Sequence, residues 1–372
     1  MNSSTTTSGL TFEIQPSTQR KTPQERAALL ESPGFGNVFT DHMVTIRYTE
    51  DKGWYDARLE PYGALSMDPA TAALHYAQEI FEGLKAYRHP DGRAVCFRPE
   101  ANAARFNRSA ARMAMPELPE DLFVGAIETL LGQDAAWIPT QEDSSLYLRP
   151  FMFATDVGLG VNNPSRSYMF VLIASPSGPY FAGGIKPVTV WFCEDYTRAA
   201  PGGTGFAKFA GNYAASFLAQ AQAVEKGCDQ CVWLDAVEHR WVEEMGGMNL
   251  FFVFGSGGDA RIMTPGLTGT LLPGITRDSL LKLAPELGIP AEEGRISTDQ
   301  WREAVASGEL TEVFACGTAA VITPVGAVKS NQGEFTIGDG TPGPVTMRLR
   351  EELVALQYGT REDTHGWIRS MG

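Results

Sequence analysis

A Gly/Pro-rich stretch at residues 175–187 interrupts the chain near its middle, and it constrains the fold more than any other feature. Clustered Gly and Pro do not sit inside helices or sheets, so the segment reads as a connection between two separately packed bodies. The 372 residues exceed one small domain, and a hydrophobic share of 43% supplies two cores of ordinary size. Helix-period and strand-period patterns mix on both sides of the break. The predicted class is therefore α/β (mixed α+β) in two domains. Its parts are a loose tail over 1–33, a smaller α/β domain over 34–177, a linker over 178–190 and a larger domain over 191–372.

Within the first half, alternating runs at 43–48 and 54–59 flank a Lys52-Gly53 turn and predict a hairpin. Helices are expected at 68–78, 99–113 and 122–137, and strands at 83–87, 145–154 and 168–174. In the second half the pattern predicts a long helix at 212–226, strands at 230–234 and 250–253, and helices at 275–287 and 345–358. A net charge of -14 argues against nucleic acid or an anionic membrane as partner. No run approaches the roughly twenty apolar residues of a membrane span, and the Ser/Thr-rich start lacks the apolar core of a signal peptide. These features point to a cytoplasmic protein that handles small molecules. The five cysteines form no disulfide framework; Cys96, Cys193 and Cys316 sit in apolar runs, and Cys228-x-x-Cys231 lacks a second pair. The five histidines show no metal-ligand spacing, and no metal site is expected.

Four segments could carry chemistry. Residues 201–213 place one lysine, Lys208, in glycine-rich, nearly uncharged surroundings. Desolvation disfavours its ammonium form, and the neutral amine is the nucleophile that attacks an aldehyde. Taken alone, the segment reads more readily as a flexible turn with a solvated lysine. Residues 241–253 set Glu243 and Glu244 just before an apolar strand, where a carboxylate could pair with a cationic ring nitrogen or simply end a strand in solvent. Residues 271–280 run from a Pro-Gly turn into a helix whose first amides, Ile275 and Thr276, could bind phosphate. The turn Cys316-Gly317-Thr318-Ala319-Ala320 offers further amides and one hydroxyl, and Arg105 in the helix at 99–113 could add countercharge.

In this order the segments resemble the class IV aminotransferases. The spaced pattern Glu244-x-Gly-x-x-Asn249-Leu-Phe, then Thr264, then Leu272-x-Gly-Ile-x-Arg277 carries the likeness. The stretches Phe39-Thr40-Asp41-His42-Met43, Phe81-Glu82-Gly83-Leu84-Lys85-Ala86, Ser145-Leu146-Tyr147-Leu148-Arg149-Pro150 and Gly178-Pro179-Tyr180-Phe181 resemble its branched-chain members in particular. The resemblance implies the two-domain fold type IV architecture of the D-amino acid aminotransferase kind, with 191–372 as the cofactor-binding domain. It implies pyridoxal 5'-phosphate carried on Lys208 as a Schiff base, Glu244 at the pyridine nitrogen and Tyr213 at the phenolic oxygen. Arg105, the Ile275 and Thr276 amides and Thr318 would then hold the phosphate.

The same resemblance implies an aromatic wall of Phe35, Tyr76, Phe81, Tyr147 and Tyr180 around a branched aliphatic side chain. Arg149 would receive the γ-carboxylate of glutamate, and the Thr318-Ala319 turn the α-carboxylate. The expected reaction moves the amino group of L-leucine, L-isoleucine or L-valine to 2-oxoglutarate, in a homodimer whose partner loop matches Leu159-Gly160-Val161. Two departures stand out. Ala320 and Thr323 replace the C-x-x-C of some relatives, and Gly247 replaces a threonine. The competing readings are a D-amino acid aminotransferase, an aminodeoxychorismate lyase, or a non-catalytic protein that binds a phosphate-bearing ligand.

Overall fold

The computed structural model describes residues 6–7, 9–179 and 184–371. The chain forms two units: Met1–Tyr180 with Ala207–Ala210 and Leu356–Gly372, and Phe181–Phe206 with Gly211–Ala355. Two short pieces expected in the larger domain thus group with the first unit. One reason is that the strand Ile368–Ser370 pairs with Ala94–Phe97.

The first unit is built on one sheet. Its strands run in the order Ile368–Ser370, Ala94–Phe97, Leu84–Arg88, Ser145–Ala154, Ser167–Ser177, His42–Thr49, Gly53–Pro61 and Glu13–Ile14, with Glu79–Phe81 also paired to Ser145–Ala154. The expected hairpin forms, and Gly53 supplies its turn with a φ of 69°. Along Ser145–Ala154, Leu146, Leu148 and Met152 are buried while Tyr147 and Arg149 are half-buried. The two-residue period of a strand thus turns Tyr147 and Arg149 to one face and the apolar residues to the core. Helix Pro99–Arg112 opens on Pro99 and buries Asn102, Arg105, Phe106 and Ser109, which a helix brings to one side. Phe106 meets Phe123 and Phe170 at centroid distances of 5.5 and 5.7 Å. All three rings are fully buried, each contributing about 1.5–3 kcal/mol by removal from water.

From Leu10 onward the tail is not loose. Phe12 is buried in the core, Glu13–Ile14 pairs in parallel with Gly53–Pro61, and Thr22 with Glu25 caps the helix Pro23–Glu31. A single phenylalanine among Ser and Thr gives no periodic signal, which is why the docking is not legible from sequence. The helix expected at 68–78 covers only Ala72–Tyr76, because Ala77 turns left-handed with a φ of 51°.

In the second unit, six strands close a ring: Val242–Met245, Gln230–Leu234, Val188–Cys193, Val321–Ser330, Leu310–Gly317 and Met248–Phe254, the last pairing back to the first. Ala291–Gly294, Arg261–Pro265 and Gly333–Thr336 extend it. Closure removes the edges of the ring strands, and their inner side chains form an apolar core with Phe192, Phe252 and Trp301. Trp301 lies edge-on to Phe252 at a centroid distance of 4.9 Å. The single helix expected at 212–226 is two, Ala210–Ala214 and Phe217–Glu225. Between them the Ser216 amide and hydroxyl both donate to the Tyr213 carbonyl, which diverts it from the helical ladder. The cysteines are free and buried, and burial pushes the Cys231 thiol up to about 12. No helix among the described residues is long and apolar enough to cross a membrane.

One buried histidine pins the tail. His42 Nε2 accepts from the Ser17 amide at 2.9 Å, so its proton is on Nδ1, which donates to Asp134 Oδ1 at 2.7 Å. Asp134 also accepts from the His42 amide at 3.0 Å. Asp134→Ala leaves two buried donors unmatched. It should cost about 2–4 kcal/mol and free residues 12–31 for proteolysis, read by thermal melting and limited proteolysis. An unchanged melt with an intact tail would contradict this wiring.

Candidate active site

Lys208 belongs to the first unit. Its amide donates to Ser109 Oγ at 2.9 Å, its carbonyl accepts from the Phe81 amide at 3.1 Å, and Phe209 bridges Ile80. The side-chain nitrogen stands 4.8 Å from the centre of the Phe81 ring. Ser109 Oγ also donates to the Arg105 carbonyl at 3.0 Å, so one hydroxyl ties the lysine backbone to the helix Pro99–Arg112.

That helix grips a buried carboxylate. Arg105 Nε and Nη2 donate to the two oxygens of Glu82 at 2.7 and 2.8 Å, and Asn102 Nδ2 donates at 2.7 Å. The Gly83 amide adds a fourth bond at 3.2 Å. Glu82 is fully buried and Arg105 only 4% exposed. Burial pushes the Glu82 carboxyl up, but the Arg105 guanidinium, with help from Lys208 and Asn102, outweighs it and holds the carboxyl below its ordinary value.

Beside this cluster, the Arg149 guanidinium lies 4.9 Å from the Phe81 ring centre and 5.3 Å from that of Tyr147, and its Nη2 donates to Tyr147 Oη at 3.2 Å. Arg149 Nε is buried without a hydrogen-bond partner among the described residues. Phe35 meets Tyr147 edge-on at 5.0 Å. Gly83 makes room for this wall, since a Cβ there would fall 2.0 Å from Tyr147 Oη. Phe35, Phe81, Tyr147 and Arg149 are thus brought together. Tyr76 hydrogen-bonds instead to the Leu159 carbonyl, beside a cavity of about 660 Å³ lined by residues of the 156–166 loop. Tyr180 lies outside the described residues.

In the second unit two side chains of the spaced motif, Glu244 and Asn249, close on Leu272. The Leu272 amide donates to Glu244 Oε1, and the Leu272 carbonyl accepts from Asn249 Nδ2 at 3.1 Å. Glu244 and Asn249 face each other across adjacent strands. Gly274 packs so tightly on Asn249 that a Cβ would sit 2.0 Å from its Oδ1. Thr264 Oγ1 donates to the Leu250 carbonyl at 2.7 Å, and Arg277 Nη2 donates to the Pro265 carbonyl at 2.8 Å and to Glu293. The 1% exposed Glu244 is balanced by Arg198, whose Nε lies 3.2 Å from Oε2 and whose Nη1 donates to the Thr270 carbonyl at 3.0 Å.

The helix Ile275–Glu286 begins at Gly274 with no side-chain cap, so its first turn is an anion-attracting end. Half-buried Thr318 and Ala319 form the turn between Leu310–Gly317 and Val321–Ser330. Tyr213 Cε1 would lie 3.5 Å from a Cβ at Gly247, ordinary contact distance, so space alone does not demand glycine there. Taken unit by unit, the chemistry fits pyridoxal 5'-phosphate: the first unit holds an amine of the kind that meets an aldehyde, and the second a carboxylate, a phenol and a helix start of the kinds that meet a ring nitrogen, a ring oxygen and a phosphate.

Glu82, Asn102, Ser109 and Arg198 escape sequence reasoning as positioning residues. The one available signal was an acid between Phe81 and Gly83 in an otherwise apolar run, since acids do not enter cores unpaired. Glu82→Gln removes the charge that Arg105 faces and should cost about 3–5 kcal/mol. The parent's contribution from Glu82 is present above the ordinary glutamate range and is lost as pH falls through its depressed folded value. Acid unfolding should therefore be shallower in Glu82→Gln, and an identical stability-against-pH curve would remove Glu82 from this role.

The family described as Amino-transferase class IV matches residues 79–328, more than half of the chain. The Mycolicibacterium smegmatis protein named branched-chain-amino-acid aminotransferase is 60% identical over 360 residues, which is 96% of this chain and 98% of that one. The crystal structure of the Escherichia coli branched-chain amino acid aminotransferase matches with a TM-score of 0.72 at 31% identity, over 88% of this chain and 99% of that one. The holo-form structure of the Thermobaculum terrenum branched-chain amino acid aminotransferase matches with a TM-score of 0.71 over 89% of this chain and 98% of that one; at 24% identity it bears on the fold alone. With this likeness along nearly its whole length, and with the spaced motif folded onto Leu272, the chain belongs to the branched-chain-amino-acid aminotransferases of the class IV aminotransferase family.

Proposed function

We propose that this protein transfers the amino group of L-leucine, L-isoleucine or L-valine to 2-oxoglutarate, leaving the branched 2-oxo acid and L-glutamate. The observation that carries the substrate assignment is Arg149, a guanidinium set over two aromatic rings with a buried Nε unmatched among the described residues. An aromatic surface of Phe35, Phe81 and Tyr147 excludes water around an aliphatic side chain, while Arg149 can meet the γ-carboxylate of glutamate. Tyr76 and Tyr180 belong to the same proposed wall. Thr318 and the Ala319 amide would take the α-carboxylate.

Class IV aminotransferases use pyridoxal 5'-phosphate, which supplies an aldehyde to receive the amino group and a ring that withdraws electrons from Cα. Lys208 is the residue proposed to attach it, and its amine, once released by substrate, would take and return the Cα proton. Glu244 would hold a proton on the ring nitrogen, with Arg198 fixing that carboxylate in place. Tyr213 would hydrogen-bond the ring oxygen. Thr318, the Ile275 and Thr276 amides and Arg105 would bind the phosphate, and the bidentate grip of Glu82 would set the Arg105 guanidinium. The proposed domain roles follow: the second unit supplies most cofactor contacts, and the first supplies the lysine and the aromatic wall.

The protein is further proposed to be a cytoplasmic homodimer. Val157, Leu159 and Val161 are all more than 60% exposed on one loop, an apolar cluster that a second copy would cover. Steady-state assays with L-leucine and 2-oxoglutarate test the reaction, and turnover of D-alanine alone would overturn it. Arg149→Met should raise KM for 2-oxoglutarate by about tenfold or more, as expected for a lost charged hydrogen bond, and leave KM for L-leucine nearly unchanged. Equal effects on both would remove Arg149 from carboxylate recognition.

A further inference from the structure

The second unit contains a cavity of about 370 Å³ that none of the proposed cofactor or substrate residues lines. Its size falls in the ~300–1,000 Å³ range of small-molecule sites. Apolar lining comes from Val237, Val242 and Leu271, and charged lining from Asp235, Glu238, Glu243 and Arg295.

Glu243 is only 7% exposed. A relay of hydroxyls ends on it: Thr270 Oγ1 donates to Glu243 Oε1, so the Thr268 hydroxyl, 2.8 Å from Thr270 Oγ1, must donate to Thr270. The second Glu243 oxygen accepts no hydrogen bond among the described residues and is left to the cavity. Burial pushes this carboxyl up against the Thr270 bond, and Glu244 and Asp235 push it the same way. A cation in the cavity would relieve both effects.

The neighbouring charges are already partnered. Despite partial burial, the backbone amides of Glu238, Trp241, Arg240 and Val237 hold the Asp235 carboxyl down at about 2. Arg295 stacks 3.6 Å from the Trp241 ring centre and reaches Glu238 at 3.4 Å, a long contact that leaves guanidinium donors for another anion. The cavity therefore presents three carboxylates, one guanidinium and an apolar surface.

We propose that this cavity is a regulatory site for a free aliphatic α-amino acid, with its ammonium on Glu243 and in the negative field of Asp235, its carboxylate on Arg295 and its side chain on Val237, Val242 and Leu271. The route to chemistry is short. Thr270 binds Glu243 through its hydroxyl and Arg198 through its carbonyl, and two residues on the Leu272 amide binds Glu244. Occupancy would shift the strip 270–272 and with it the Glu244 carboxylate; this coupling rests on the reading of Glu244 as the ring-nitrogen partner.

L-isovaline is a suitable probe, because it is aliphatic and zwitterionic and has no Cα hydrogen to transfer. Calorimetric titration into the holoenzyme should show binding that survives Lys208→Ala and weakens at least tenfold in Glu243→Gln. Val237→Trp should weaken it likewise while leaving basal turnover and melting unchanged, since Val237 is 74% exposed at the cavity rim. No binding, binding lost only in Lys208→Ala, or binding indifferent to both cavity variants would overturn the site. Cofactor absorbance should shift on titration in the parent. Binding without that shift would overturn the coupling to Glu244 and leave the site itself standing.

Discussion

A buried carboxylate organises the first unit around its lysine. Glu82 has no contact with water, so it must be matched from within. Its matches are Arg105 and Asn102 from one helix and the amide of Gly83, the residue that follows it. Once that helix face is committed to Glu82, Ser109 one turn on is fixed where its hydroxyl can receive the Lys208 amide. The lysine backbone is thereby held by a helix and by Phe81 together, while its side chain remains beside the Phe81 ring. Precision at the amine follows from a buried charge that must be matched from within the fold.

The second unit solves a similar problem by other means. Its long spaced motif looks like a string of unrelated residues until the ring of strands closes. Glu244 and Asn249 then sit opposite each other and take the amide and the carbonyl of Leu272, and Gly274 leaves the space that Asn249 needs. The clamp positions the start of the helix Ile275–Glu286 relative to Glu244. A carboxylate and an anion-attracting helix end are therefore set by the same two side chains, which explains why the spacing of the motif is so specific.

Much of the fold was legible in the sequence, because strands such as Gln230–Leu234 and helices such as Pro99–Arg112 announce themselves by period and by Pro placement. What escaped depended on contacts distant in sequence. The docking of the tail rests on Phe12 and on a backbone amide meeting His42, neither of which leaves a pattern. The grouping of 207–210 with the first unit likewise depends on Ser109, 99 positions from Lys208. At the site, Lys208 and Glu244 were legible only through the resemblance, and their supports Glu82 and Arg198 were not. Charged groups that act by holding other charged groups are invisible until the fold brings them into contact.

The claim that the first unit's lysine carries the cofactor can be read directly from mass. Borohydride reduction of the holoenzyme, followed by trypsin and mass spectrometry, should leave the pyridoxyl group on the peptide 199–226, with cleavage after Lys208 blocked and the label sequenced to that residue. A label on any other lysine, or a normally cleaved unlabelled Lys208 in fully reduced holoenzyme, would contradict it.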